Sequence, residues 1–269
     1  SVAKGSDRNK EKWKWLPEEE HPCTVDRMTL EEVYEKFGPE GVPVNYSEPL
    51  VIVSGKDRNS KLRQLTSNDT IHQFFEPGFK VTLSSSNSFS EHRRTIPLED
   101  YLREISHNDG VTHPNKKSSE LWYLFGETFS PEWKNLLKAY RYPPCQVCTE
   151  EYVALSFGIG NRGSGVQWHI HGPGFSEALH GRKHWVLYPP HHDPPHFHPD
   201  QSPRNWMEYI YPELPNGVLS LENPNGRPYE CTLEEGDLLY FPDRWHHATI
   251  NCDRYTAFIS TFTSDHLFL

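Results

Sequence analysis

The sequence has no long apolar run and no excess of basic residues. No stretch approaches the roughly 18 uninterrupted apolar residues of a membrane-spanning helix. The 27 Lys and Arg residues are outnumbered by 37 Asp and Glu residues, which gives a net charge of -10. The lack of a long apolar run argues against a membrane span. Because nucleic-acid phosphates are bound by clustered Lys and Arg, the acidic composition argues against a nucleic-acid partner.

Cysteine is scarce as well. The five cysteines leave at least one unpaired, and they do not form the two paired ligand turns of a structural zinc site. Cys145 and Cys148 form a Cys-x-x-Cys motif, but two prolines precede it and a predicted strand follows. Redox-active cysteines usually begin a helix, so the sequence argues against a redox role for this motif.

What the sequence does contain favours a single β-rich domain. A chain of 269 residues with 23 prolines and 13% aromatic residues is typical of a barrel with many loops. We expect residues 1–21 to be a flexible end and residues 22–269 to form one domain. Its first part, 22–150, mixes helices and strands, whereas 151–269 has the pattern of a barrel or sandwich.

Local signals place the individual elements. Thr29 and Glu32 form a Thr-x-x-Glu capping box that begins a helix, and Gly38 ends it. Two more helices are predicted, from about Pro97 to Ile105 and from Ser130-Pro131 onward. The predicted strands are 50–53, 79–83, 152–159, 166–171, 185–188, 237–241, 247–250 and 255–262.

Two histidines, His169 and His171, lie two residues apart in one predicted strand, where alternation directs both imidazoles to the same face. With 16 histidines in the chain, about one His-x-His is expected by chance. A second such tripeptide, His196-Phe197-His198, lies in a proline-rich loop where solvated histidines explain it. The first pair therefore needs further context to indicate a metal site.

The spacing around the first pair supplies that context, since it resembles the two motifs of the cupin superfamily. Five residues separate Gly163 from His169, and the second motif places Pro242 before His247 and Asn251 after it. Of the neighbours His246 and His247, alternation allows only one to point inward, and the spacing selects His247. An all-histidine set leaves open positions on a metal for substrate. The predicted metal ligands and catalytic residues are His169, His171 and His247.

Longer segments resemble the jumonji-C hydroxylases of the endoplasmic reticulum lumen, and the resemblance spans most of the chain from about residue 22. It implies a mainly β fold with peripheral α-helices, namely a double-stranded β-helix of jelly-roll type. It also implies an oxygenase that uses Fe(II) and 2-oxoglutarate to hydroxylate a protein client. The segments that carry the resemblance are 163–166, 169–177, 181–190, 240–249 and 258–262.

Within that family a Gly-x-Lys segment supplies a cation for the distal carboxylate of 2-oxoglutarate, and Gly181-Arg182-Lys183 fits it, so Lys183 is the predicted cosubstrate residue. Two positions depart from the pattern. The family has His-x-Asp or His-x-Glu, whereas this chain has His171, which removes a negative charge from the metal site and leaves other divalent metals as alternatives to iron. Val166 replaces a threonine that often binds the cosubstrate. Relative to the two cupin motifs, Glu177 lies a residue or two later than the acid of the first, and Arg244 replaces the internal glycine of the second.

Two other functions stay open at this point. One is a catalytically silent, metal-stabilised scaffold that binds a lumenal partner. The other is a cupin isomerase or thiol oxygenase that acts on small molecules without 2-oxoglutarate.

Several features bear on the secretory pathway. Sequons at Asn45 and Asn68 permit glycosylation, and the absence of an initial methionine is expected if a leader has been removed. Cys23 and Cys231 lie in segments that resemble the family and can pair in an oxidising lumen, although sequence does not fix the connectivity. The apolar terminal segment could support a homodimer.

Overall fold

The computed structural model describes residues 23–86, 92–107, 121–198 and 201–263, so the predicted flexible end and the terminal segment lie outside the described residues. The strands are β1 Asp26–Thr29, β2 Leu50–Val53, β3 Lys80–Ser85, β4 Arg93–Pro97, β5 Trp122–Leu124, β6 Val153–Gly160, β7 Gly174–His180, β8 Lys183–Tyr188, β9 Tyr229–Leu233, β10 Asp237–Phe241, β11 His246–Asn251 and β12 Thr256–Thr263. The helices are α1 Leu30–Phe37, α2 Ser60–Leu65, α3 Leu98–His107, α4 Pro131–Leu137 and α5 Pro203–Tyr209, with 3-10 turns at Ile71–Phe74 and Tyr211–Glu213. None of the helices in these ranges has the length and apolar character that crossing a bilayer requires.

The strands form two sheets that pack against each other. The large sheet has the order β1-β2-β10-β7-β12-β6-β5-β3-β4, and the small sheet has the order β11-β8-β9. Side chains from both sheets share one apolar core, for example Leu239 and Phe241 of the large sheet with Trp185 and Leu233 of the small one. The insertion of β10 and β12 between earlier strands, with mostly antiparallel pairing, is the arrangement of a jelly roll. The predicted mainly β double-stranded β-helix fold with peripheral helices is therefore confirmed.

Alternation along β12 separates the helix-covered face of the large sheet from its inner face. Ala257 and Ile259 belong to the core cluster that contains side chains of α2, α3 and α4. Phe258, Ser260 and Phe262 line a cavity on the other side. Because successive side chains of a strand point to opposite faces, one central strand can anchor the helices and line a site at the same time.

The predicted helices are confirmed, with small shifts of their first residues. The hydroxyl of Thr29 accepts a hydrogen bond from the Glu32 N–H at 3.2 Å, and the Glu32 carboxylate accepts one from the Thr29 N–H at 2.6 Å. Gly38 follows α1 with φ of +87°, a conformation that favours glycine. The second predicted helix begins at Leu98, one residue later than expected, because Pro97 still belongs to β4.

The prediction of a regular strand over residues 166–171 was wrong. This segment runs antiparallel to β11 but is not in regular register with it. Between successive backbone contacts the segment advances by three residues while β11 advances by two, so each step contains one extra residue, as in a β-bulge. Gly165 permits the close crossing, because a Cβ atom there would lie 1.9 Å from the Thr249 carbonyl oxygen. The backbone contacts that define the crossing join Gly163 to Asn251, Val166 to Thr249 and His169 to His247.

Four cysteines are paired in the described residues. Cys23 is bonded to Cys231, which attaches the start of the described chain to β9. Cys145 is bonded to Cys148 within one turn, and Cys252 is free and buried.

Candidate metal centre

Three histidine side chains converge between the two sheets. His169 and His171 come from the loop between β6 and β7, and His247 comes from β11. The backbones of His169 and His247 exchange two N–H···O=C hydrogen bonds of 3.0 Å, which places their rings 4.2 Å apart. One nitrogen from each of the three rings lies within 4.8 Å of the other two. The structure thus brings the three predicted ligands together, and it is His247 rather than His246 that lines the cavity.

The hydrogen bonds of the rings fix which nitrogen faces the centre of the cluster. Each Nδ1 atom lies next to a backbone carbonyl oxygen: 2.6 Å for His169, 2.8 Å for His171 and 2.8 Å for His247. A carbonyl oxygen can only accept, so each Nδ1 must carry the proton. In the neutral ring the lone pair of the second nitrogen then lies on Nε2, and an imidazole nitrogen with its lone pair unprotonated is the form that binds metals.

The Nε2 atoms of His171 and His247 are 3.0 Å apart. With both protons on Nδ1, two lone pairs face each other across this distance, and neither ring has a hydrogen to offer the other. A cation held between the rings removes this repulsion. The donor set fits a divalent transition metal, because neutral imidazole is a ligand for iron, zinc, nickel and copper.

The surroundings disfavour the protonated forms of His169 and His247. Burial lowers the pKa of His169. Burial, together with the repulsion that a proton on a neighbouring imidazole would exert, lowers the pKa of His247 well below its usual value. At neutral pH the lone pairs of His169 and His247 are therefore available to a metal rather than occupied by protons.

Aromatic side chains hold the imidazoles in place. The ring of Phe241 stacks on His247 at 5.2 Å between centroids. The ring of His171 meets the edges of Phe241 and Phe262 at 4.9 and 5.0 Å. Trp185 approaches His247 at 5.5 Å. This packing restricts the ring rotamers and keeps water away from one side of the cluster.

Lys183 lines the same cavity, which has a volume of about 260 Å³. Its side chain extends from β8 and is almost fully buried. The ammonium donates a hydrogen bond to Asn251 Oδ1 at 3.0 Å and lies 3.8 Å from the centre of the Phe258 ring. Burial lowers the pKa of Lys183 to about 7. Among the described residues this cation pairs with no carboxylate, and it lies next to the three predicted metal ligands, so the cavity suits a small anion.

The acid of the first cupin motif is not part of this cluster. Glu177 lies on β7 and is buried, but its carboxylate pairs with Arg58 at 3.0 Å and accepts hydrogen bonds from Asn59 at 2.9 Å. It therefore holds the segment before α2 against the large sheet. Val166 does line the cavity, without the hydroxyl that threonine would supply.

Some residues of the site could not be found from the sequence. Asn251 was visible only as the end of a motif, and nothing in the sequence indicated that its amide contacts Lys183. The cavity is also lined by polar side chains that come from separate strands and carry no local motif. They are Ser84, Arg93, Tyr123, Thr249 and Ser260.

Comparisons with known proteins agree with this architecture. The model of the cupin-like domain matches residues 40–262. JmjC domain-containing protein 8 of Homo sapiens is 38% identical over 247 residues, which cover 91% of this chain and 85% of the human protein. The protein of the same name from Rattus norvegicus is 39% identical over 247 residues, covering 91% of this chain and 83% of the rat protein. Lysine-specific demethylase JMJ21 of Arabidopsis thaliana is 24% identical over 226 residues, which cover 74% of this chain and 21% of that protein.

A domain match over residues 40–262 and 38–39% identity to relatives that the chain covers to 83–85% agree with the jelly roll. The chain belongs to the cupin-like domain family and, within it, to the group of JmjC domain-containing protein 8.

Proposed function

We propose that this protein is a JmjC-type oxygenase that uses Fe(II) and 2-oxoglutarate to hydroxylate a protein client in the secretory pathway. The observation that carries the proposal is the shared cavity: three imidazoles and one buried ammonium line the same space. That combination matches a metal with open positions and a cosubstrate that has a carboxylate at its far end.

The chain contributes positioning and exclusion of water. His169, His171 and His247 would hold the metal through their Nε2 atoms, and the ammonium of Lys183 would bind the distal carboxylate of the cosubstrate. Bound iron would supply the oxidising chemistry, with molecular oxygen as the oxidant and 2-oxoglutarate as the co-reductant that leaves as succinate and carbon dioxide; no side chain in the cavity can perform this chemistry. The aromatic rings around the histidines limit access of water to the reacting groups.

His171 favours a second candidate, a metal-binding JmjC scaffold without catalysis. Related hydroxylases have a carboxylate at this position, and imidazole brings no negative charge to the metal. The change leaves a metal site but makes its ligand set less negative, which alters its relative affinity for iron and for other divalent ions. Zinc would be held well by three imidazoles and would perform no oxidation.

The lumenal location is supported by the covalent structure. Disulfides persist in oxidising compartments and are rare in the cytosol, and the chain has two of them. Asn45 of the first sequon lies in an exposed turn. The amide of Asn68 in the second sequon is partly buried and donates to Ser106, so a glycan fits Asn45 better.

Calorimetry under anaerobic conditions tests the oxygenase proposal. The protein loaded with Mn(II) should bind 2-oxoglutarate, and Lys183→Ala should abolish this binding while leaving metal affinity unchanged. Lys61→Ala, at an exposed lysine of α2, is the matched control and should bind as the native protein does. Stoichiometric zinc in the native protein together with no affinity for 2-oxoglutarate would overturn the proposal in favour of the scaffold.

A second experiment separates binding from turnover. His171→Asp restores the carboxylate that related enzymes have, so it should increase the uncoupled release of succinate from 2-oxoglutarate. Succinate release that depends on a client peptide, with a mass increase of one oxygen atom on the peptide, would establish hydroxylation.

A further inference from the structure

A second cavity lies next to the metal centre on the outer side of the small sheet. It has a volume of about 370 Å³ and shares His169 with the inner cavity. We call it the outer groove, and its lining residues are Trp168, His169, Ile170, Asp193, Pro194, Phe197 and His246. A side chain of another molecule bound in this groove would lie beside His169, one of the predicted metal ligands.

The walls of the outer groove are apolar and exposed. Ile170, which lies between the two histidines of the loop, is 52% exposed, and Phe197 is 41% exposed. Both flank Trp168 and Pro194, which are buried. A lone exposed apolar side chain is ordinary on a protein surface, but two that face one concave apolar site indicate a binding surface.

The groove is held in a fixed shape. Trp168 packs against Trp206 of α5 at 5.0 Å and against Tyr188 of β8 at 5.6 Å. The loop that carries Phe197 is attached to α5, because the Trp206 indole N–H donates to the Pro195 carbonyl at 2.9 Å. Because the side chains that line the groove are already ordered, little conformational entropy is lost when a ligand binds there.

One charged group lies at the rim. The side chain of Asp193 is 95% exposed, and its carboxylate lies 3.6 Å from His246 Nε2. That distance is longer than a hydrogen bond, so the carboxylate stays available to a cation from outside. The net charge of -10 over the chain adds a long-range attraction for basic partners.

We propose that the outer groove docks a client polypeptide in which an apolar side chain stands next to a lysine or arginine. The apolar side chain fills the space between Ile170 and Phe197, and the cation binds Asp193. The chain of the client then continues past His169, which brings a residue a few positions away over the inner cavity. This inference rests on the proposed function for the chemistry that follows, but the docking itself does not require turnover.

Fluorescence polarisation with three labelled ten-residue peptides tests the proposal on the full chain loaded with Mn(II) and 2-oxoglutarate. The peptides share a Gly-Ser background and carry Leu-Lys, Leu-Glu or Ser-Lys at the centre. We expect Leu-Lys to bind about tenfold more tightly than Ser-Lys, because it buries the leucine side chain. It should bind about fivefold more tightly than Leu-Glu, because a charge at an exposed rim contributes modestly.

Variants of the groove, compared with matched surface controls, show whether the groove residues cause this peptide selectivity. Asp193→Lys should reverse the preference between Leu-Lys and Leu-Glu, whereas Glu222→Lys, at an exposed acid of another loop, should leave it unchanged. Phe197→Ser should remove the preference for leucine, whereas Leu221→Ser, at a fully exposed apolar residue, should not. Equal binding of the three peptides, or equal effects of the groove and control variants, would overturn the proposal.

Calorimetry of 2-oxoglutarate on the same samples distinguishes this inference from the proposed function. If the cosubstrate binds but the peptides show no selectivity, the docking inference fails and the oxygenase proposal stands. If the peptides show the expected selectivity but no 2-oxoglutarate binds, the groove stands as a docking site and the oxygenase proposal fails.

Discussion

The ammonium of Lys183 donates a hydrogen bond to Asn251 Oδ1 at 3.0 Å, and the amide nitrogen of Asn251 donates to Ser164 Oγ at 3.0 Å. This chain of contacts joins β8, β11 and the loop that carries two of the histidines. It also fixes the direction of a long flexible side chain, so Asn251 acts as a positioning residue for the cation.

Asn251→Ala should therefore weaken 2-oxoglutarate binding without changing metal affinity. A hydrogen bond to a charged group contributes about 1.5–3 kcal/mol, so the dissociation constant should rise by about tenfold or more, as measured by calorimetry on the Mn(II)-loaded protein. Thr249→Val is a suitable comparison, since it changes a neighbouring polar residue of the cavity whose hydroxyl accepts from the Val166 N–H rather than from Lys183. An equal loss in both variants would mean that Asn251 has no specific effect on the lysine.

The pKa of Lys183 predicts a pH dependence of cosubstrate binding. Burial lowers this pKa to about 7, so the ammonium is present below pH 7 and is lost as the pH rises through 7. Above pH 7, binding of an anion that needs the cation must take up a proton, and affinity should fall about tenfold per pH unit. Calorimetry in two buffers with different ionisation enthalpies measures this proton uptake.

Lys183→Arg is the control for that pH dependence. Arginine keeps its charge throughout the range, so the variant should bind 2-oxoglutarate with an affinity that is flat between pH 6 and about 9. A slope that persists in the arginine variant would assign the pH dependence to another group.

The features that the sequence predicted are those with a local pattern. The capping box at Thr29 and Glu32 joins groups three residues apart, and the structure contains both of its hydrogen bonds. The positions of His169 and His247 followed from spacing within two motifs, each shorter than about twenty residues. The jelly roll followed from the same motifs, because their resemblance to a known family extended over most of the chain.

The features that the sequence did not predict depend on contacts between distant residues. β7 begins with Gly174 after a Gly-Pro pair and contains the charged Glu177, a pattern that is typical of a loop. A strand becomes plausible only with Arg58, which lies 119 positions away and pairs with the buried Glu177 carboxylate. Apolar and polar residues nearly alternate over residues 166–171, as they do in a regular strand, although the segment crosses β11 with bulges. Its extra residues become visible only when the partner strand is in place.

The neighbours His246 and His247 offer a matched test of the metal centre. His247 is 1% exposed and faces the other two imidazoles, whereas His246 is half-buried and faces the outer groove. A ligand that binds only the folded state at about 100 times its dissociation constant stabilises it by about 2.7 kcal/mol. His247→Ala should lose this stabilisation, while His246→Ala should keep it.

Thermal unfolding with and without Mn(II) or Zn(II) measures the effect. The native protein and His246→Ala should show a rise in Tm on addition of metal that a chelator reverses. A rise of the same size in His247→Ala would mean that the ion binds elsewhere.

The two disulfides should differ in their contribution to stability. Cys23 and Cys231 are separated by 208 positions, and Cys145 and Cys148 by three. In the chain-entropy model, the long loop gives about 5 kcal/mol and the short loop about 2 kcal/mol. Replacing both cysteines of the first pair by alanine should therefore lower the free energy of unfolding more than the same change in the second pair. Urea titration followed by tryptophan fluorescence compares the two, and equal losses would show that the crosslinks act on the native state rather than on the unfolded chain.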